Sequence, residues 1–201
     1  MKILFKIITI IFHPLLMPVL GYFILFNSGT YLTLAPFELQ KFIYIFIFAG
    51  TFLLPVLTIP IFYFFGKITS LSLENRKERH LPILVTAVFY YFTFYLIKSL
   101  PLSHILITFA LSSFVSVMLT LIITLRWKIS AHLVGLGGIS ALILIISLFF
   151  KTNLEFYFIL SLLIAGIVGT ARLFLEKHNL LQVSIGFLVG FLSVSGILIF
   201  F

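Results

Sequence analysis

The sequence predicts an all-α fold, a polytopic membrane helix bundle of six or seven transmembrane helices, and three observations carry that prediction. The first is composition: 62% of the 201 residues are hydrophobic and 9% are charged. So few charges cannot cover a water-facing surface, which excludes a soluble domain. The second is run length, because a helix needs about 20 apolar residues to cross the ~30 Å hydrocarbon layer and several such runs follow one another here. The third is their texture. A membrane β-barrel alternates polar and apolar residues, whereas these runs are continuously apolar.

The predicted spans are Ile3–Phe26, Phe42–Phe65, Ile83–Lys98, Ile105–Leu125, Ala131–Phe150, Phe156–Leu175 and Gln182–Phe201, with Ile83–Lys98 the shortest. They form a single integral membrane domain over residues 1–201. Lys2 and Lys6 precede a first run that reaches Phe26 without a small-x-small cleavage site, so this run is expected to be a retained span rather than a removed signal. Pro14 and Pro18 interrupt the first run, and Pro55 and Pro60 the second, which predicts kinks there.

Cysteine is absent, which rules out disulfides and thiolate metal sites. The net charge of +8 on so apolar a chain points to anionic lipid headgroups or a phosphate-bearing substrate. The cations are scattered over short loops, which argues against nucleic acid. Seven alternating spans gather Lys2, Lys6, Lys67, Arg76, Lys77, Arg79, Arg126, Lys128, Arg172 and Lys177 at one side of the membrane, leaving Lys41, Lys98 and Lys151 opposite. The positive-inside rule makes the crowded side cytoplasmic, and the excess survives when Arg76, Arg79 and Arg172 are set aside as possible substrate ligands.

Three polar islands fall on that side. In "LENRKERHLP", Leu73 to Pro82, Arg76 and Arg79 are three apart and share a face on a helical turn, so both could grip one phosphate. The same island also reads as a juxtamembrane anchor for anionic lipids, with Glu74 and Glu78 pairing internally. In "WKISAHLVGLGG", Trp127 to Gly138, Ser130 is an N-cap whose hydroxyl is expected to accept an orphan backbone N–H, at a helix start suited to an anion. His132 follows in the first turn, and Gly135, Gly137 and Gly138 permit a close neighbouring helix.

The third island is "ARLFLEKHNLLQ", Ala171 to Gln182. Arg172 near the end of an apolar span is costly without a partner, which marks it as a functional candidate. His178 and Gln182 are four apart, so the amide oxygen can accept from one ring nitrogen. Arg172 and His178 lie on different faces of an unbroken helix, so a break near Asn179 must bring them together. His13 and His104 read as structural. Together the islands offer cations to neutralise a phosphate, one imidazole to attack it and another to protonate the leaving oxygen.

These residues resemble the three-part signature of the type 2 phosphatidic acid phosphatase and vanadium haloperoxidase superfamily, K-x6-R-P, P-S-G-H and S-R-x5-H-x3-D. The resemblance covers residues 73–201. The third part keeps Arg172 and His178 in spacing, with Ala171 for serine and Gln182 for aspartate; the second keeps Ser130 and His132, with Ile129 and Ala131 for proline and glycine. In the first, Pro82 stands alone, with Leu81 for arginine, Glu74 for lysine, and Arg76 and Arg79 as displaced substitutes. The resemblance implies that His178 is the nucleophile of a phosphohistidine mechanism and His132 its acid. It implies that Arg76, Arg79, Ser130 and Arg172 bind the phosphate, with no metal or other cofactor needed.

By the same resemblance the substrate is a lipid phosphate or polyprenyl diphosphate in a bacterial inner membrane. Gln182 is the main departure, because an amide in place of the carboxylate costs a serine-protease triad about 10⁴-fold. Three functions therefore stay open: a lipid phosphatase, slow or impaired; an inactive relative that binds phosphate-bearing lipids; and an unrelated small transporter or membrane scaffold. Oligomeric state stays open as well.

Overall fold

The computed structural model describes residues 1–70 and 76–201, with Arg76 described by its backbone alone. Among the described residues, seven helical segments are long and apolar enough to cross a membrane: Lys2–Phe26, Phe37–Phe64, Lys77–Lys98, His104–Arg126, Ala131–Phe150, Glu155–Phe174 and Leu180–Phe200. The chain is a multi-pass integral membrane protein, and among the described residues its regular elements are all helices, with no strand.

Proline divides the first two spans. α1 (Lys2–Ile11) stops before His13-Pro14, a 3-10 turn runs over Pro14–Leu16, and α2 (Met17–Phe26) resumes the crossing. The second span is α3 (Phe37–Phe48), a π-helical turn over Ala49–Leu53, and α4 (Leu54–Phe64), with Pro55 just after the turn and Pro60 inside α4. Pro55 cannot donate an N–H, and the ladder widens for one turn ahead of it.

The third span corrects the expected start at Ile83. α5 runs over Arg76–Lys98 and carries Pro82 inside it, so Arg79 and His80 are helical rather than part of a loop. Two ties hold this early start: Glu78 accepts from the Thr69 backbone N–H (2.9 Å) and hydroxyl (2.8 Å), and His80 Nε2 donates to the Thr124 carbonyl (3.1 Å). The remaining spans are α6 (His104–Arg126), α7 (Ala131–Phe150), α8 (Glu155–Phe174) and α9 (Leu180–Phe200).

α7 is the most deeply buried span and packs most extensively on α9, with α8, α2 and α6 around it. Lipid tails are as apolar as the side chains they would replace, so close backbone approach and interhelical hydrogen bonds set the packing. Gly137 faces the Phe187 carbonyl, Gly190 faces the Val134 carbonyl, and a Cβ on Gly186 would lie 2.8 Å from the Ser130 oxygen. Polar links reinforce this core: Ser116 and Ser193 hydroxyls 2.7 Å apart, Ser161 Oγ to Ser140 Oγ at 2.9 Å, and the Tyr22 hydroxyl donating to the Leu106 carbonyl at 2.7 Å.

The glycine contacts carry a stability prediction. Gly190→Ala forces a methyl into the Val134 backbone and should cost about 1–3 kcal/mol. Gly166→Ala, whose added methyl meets nothing within 4 Å, should stay within about 1 kcal/mol of wild type. Thermal unfolding in detergent compares them, and equal midpoints would remove the α7–α9 contact as the basis of the fold.

Candidate functional site

The three islands meet at one end of the bundle. The Ser130 N–H donates to the Gln182 carbonyl across 3.2 Å, joining the start of α7 to the start of α9. The charges of Arg79 and Lys128 both act on His178, which brings the beginning of α5 and the α6–α7 connection to the same place. Arg76 belongs to the expected set, but its side chain lies outside the described residues, so the Arg76/Arg79 pair is represented by Arg79 alone. Glu74 also lies outside them.

The required break between Arg172 and His178 sits earlier than Asn179. α8 ends in a hydrogen-bonded reversal: the Glu176 N–H donates to the Leu173 carbonyl (2.9 Å) and the Lys177 N–H to the Arg172 carbonyl (3.1 Å). Glu176 adopts the left-handed conformation at φ 55°, the usual position for such a helix end. Asn179 then starts α9 with a capping box. Its side-chain oxygen accepts from the Gln182 N–H at 3.0 Å, and Gln182 Oε1 accepts from the Asn179 N–H at 3.4 Å.

That box fixes the chemistry of His178. A backbone N–H can only donate, so the Gln182 atom facing Asn179 is the amide oxygen. The same oxygen lies 3.0 Å from His178 Nδ1, which must therefore carry the ring proton, leaving Nε2 with an open lone pair. Burial first, then the cations of Arg172 and Arg79, push the His178 imidazole down to about 3; the Gln182 hydrogen bond opposes them and Lys128 adds to them. At neutral pH the ring is an uncharged base.

Two polar atoms beside it have no partner among the described residues: the buried Arg172 Nε and the Ser130 hydroxyl. The Ser130 result corrects the expected cap. Ser130 does hold the N-cap position of α7, but its hydroxyl makes no capping bond, and the residue is fully buried. The first turn of α7 thus keeps its partial positive charge uncapped by this side chain.

His132 turns away from the α7 start toward the first span, where its Nε2 lies 3.1 Å from the Thr9 carbonyl oxygen. His13, expected to be structural, sits next to it with ring centroids 5.9 Å apart in an edge-on arrangement. The charge of Arg172 reaches His13, His132 and His178 alike. His104 starts α6 at the other end of the bundle. Sequence reasoning missed Thr9 and His13 as neighbours of the site; the Pro14 break was the available signal.

A cavity of about 220 Å³ opens beside these groups, lined mainly by apolar side chains with His13 and Ala131 among them. It reaches Ile139 and Val194 toward the middle of the bundle. Among the described residues no cluster of three or more His, Cys, Asp or Glu suits a metal ion. In comparisons with known proteins, no family model matches the chain, and no curated protein or solved structure is significantly similar to it.

Proposed function

We propose that this protein is a membrane phosphatase that moves a phosphoryl group from a lipid phosphate, or a polyprenyl diphosphate, to His178 and then to water. One observation carries the proposal: two buried, unpartnered polar groups, Arg172 Nε and the Ser130 hydroxyl, lie beside an imidazole whose Nε2 is unprotonated. An anion is the ligand that such groups lack, and a neutral imidazole is the form that attacks phosphorus.

In the proposed cycle the Nε2 lone pair forms the P–N bond while the P–O bond to the lipid breaks, and the leaving oxygen takes a proton from the imidazolium form of His132. Water then attacks phosphorus and gives its proton back to His132. Inorganic phosphate departs with its P–N bond broken, and His178 is restored. Arg79, Arg172, Ser130 and the first amides of α7 hold the phosphoryl oxygens, in the pattern implied by the resemblance to the type 2 phosphatidic acid phosphatase superfamily. The adjoining apolar cavity supports a lipid rather than a soluble phosphate. The cation excess at this end supports a cytoplasmic site, and the resemblance implies a bacterial inner membrane.

One specific feature favours a second reading, a phosphate-lipid binder without turnover. The partner of His178 is an uncharged amide and the charged groups acting on the ring are all cations, so the Gln182 hydrogen bond alone favours an imidazolium against them.

Phosphate release from phosphatidic acid, phosphatidylglycerol phosphate and undecaprenyl diphosphate tests the proposal. Release should fall at least about 100-fold in both His178→Ala and Arg172→Ala. A wild type that binds these lipids and releases nothing would establish the second reading instead, and unchanged release in His178→Ala would exclude this mechanism.

The hydrogen bond from His178 makes a further prediction. Gln182→Glu keeps the side-chain length and the capping box while adding a charge that raises the His178 imidazole, and it should speed release by about 10-fold or more. In wild type His178 gives kcat/KM no acid limb above about pH 3, because the ring stays neutral down to there. In Gln182→Glu an acid limb should appear at higher pH. A slower Gln182→Glu variant with an unmoved profile would show that this partner does not govern the ring.

A further inference from the structure

The first span lies outside residues 73–201, yet it supplies the hydrogen-bond partner of His132. The cause is backbone chemistry. A proline disfavours the helical region for the residue before it, and His13 is extended, with φ −65° and ψ 134°. In a continuing helix the Thr9 carbonyl would accept the His13 N–H. Because α1 ends at Ile11, that oxygen is left for another donor, and His132 Nε2 fills the place at 3.1 Å. A carbonyl oxygen only accepts, so Nε2 carries the proton and Nδ1 is the basic nitrogen of neutral His132.

The surroundings are built for this approach. Gly135, three residues beyond His132, lets the broken span come close: a Cβ there would lie 2.5 Å from Met17 Cγ and 3.6 Å from the Pro14 Cα. His13 caps the 3-10 turn, its Nδ1 accepting from the Leu15 N–H at 3.4 Å, and its ring edge braces His132.

We propose that the proline break in the first span is a working part of the site: by freeing the Thr9 carbonyl it fixes the tautomer of His132 and makes Nδ1 the nitrogen that exchanges protons with the reacting oxygens. This rests on the phosphoryl-transfer reading above. In the first step the imidazolium gives its Nδ1 proton to the oxygen leaving phosphorus, as the bond to His178 forms. In the second Nδ1 takes the proton of the attacking water. The Nε2–H stays on Thr9 throughout, doing for His132 what a buried carboxylate does for a catalytic histidine elsewhere: it holds the ring and selects the nitrogen. Thr9 and Pro14 are positioning residues.

Imidazole ¹⁵N spectra of the full chain in micelles, with His132→Gln to assign the signal, read the tautomer directly. The wild-type ring should be protonated at Nε2. In Pro14→Ala the His13 N–H competes for Thr9, so the signal should move toward a mixture of tautomers. Release from phosphatidic acid should then drop roughly 100-fold, the size of a general acid's contribution, while release from an aryl phosphate, whose oxygen leaves without a proton, should drop far less. A wild-type ring protonated at Nδ1 overturns the inference whether or not the variant folds. So does a Pro14→Ala protein that keeps its tautomer, or that loses both activities equally. If the wild type releases no phosphate at all, the phosphatase reading fails and the proton role falls with it; an active wild type with an equally active Pro14→Ala sinks the inference alone.

Discussion

The seating of the α7 start on the α9 start is the contact on which the rest of the site depends. It is a backbone contact: the Ser130 N–H reaches the Gln182 carbonyl, and Gly186 leaves room beneath the Ser130 oxygen. Side chains at Ser130 and Gln182 are thereby fixed relative to each other without a side-chain bond between them. Gln182 in turn orients His178, so the position of the ring is set by helix packing deep in the bundle, continued through Gly190 and Gly137. Backbone-on-backbone contacts of this kind tolerate little slack, because a single methyl group cannot be absorbed by a rotamer change.

Every helix crossing the bilayer satisfies its own backbone along its length and leaves unsatisfied groups only near its ends or its breaks. The site uses both kinds of place. The starts of α7 and α9 supply amides, the reversal after α8 brings His178 back toward Arg172, and the proline break in the first span supplies the Thr9 carbonyl. Polar chemistry is thus concentrated where the membrane constraint is already relaxed.

Much of this was legible in the sequence. Run length gave the seven spans, and Ser130, His178 and Gln182, marked by their spacing, are brought together by the starts of α7 and α9. Helix arithmetic also required a break near Asn179 between Arg172 and His178; the chain breaks between Phe174 and Asn179, turning at Glu176, where a residue without glycine's freedom takes the left-handed conformation. What sequence spacing could not reach was long-range pairing. His132 and Thr9 are 123 positions apart, and no local periodicity relates them. The start of α5 was misjudged because Pro82 reads as a helix boundary, whereas here the helix passes through it, anchored by Glu78 and His80. The Asn179–Gln182 capping box has a local signal in its three-residue spacing, and the Gln182 oxygen serves both the box and His178.

That shared oxygen frames the electrostatic logic of the site. A glutamate at this position could also accept from Asn179 and from His178, so the cap does not require an amide. The amide matters through its missing charge. With Arg172, Arg79 and Lys128 acting on His178 and a neutral partner opposite, the imidazolium is held off. A phosphate entering this site would be drawn in by several partly buried cations at once. The same arrangement weakens any step in which His178 must carry positive charge, as it does once its nitrogen is bonded to phosphorus. Affinity for the anion and ease of turnover therefore pull in opposite directions here, and the identity of residue 182 sets the balance between them.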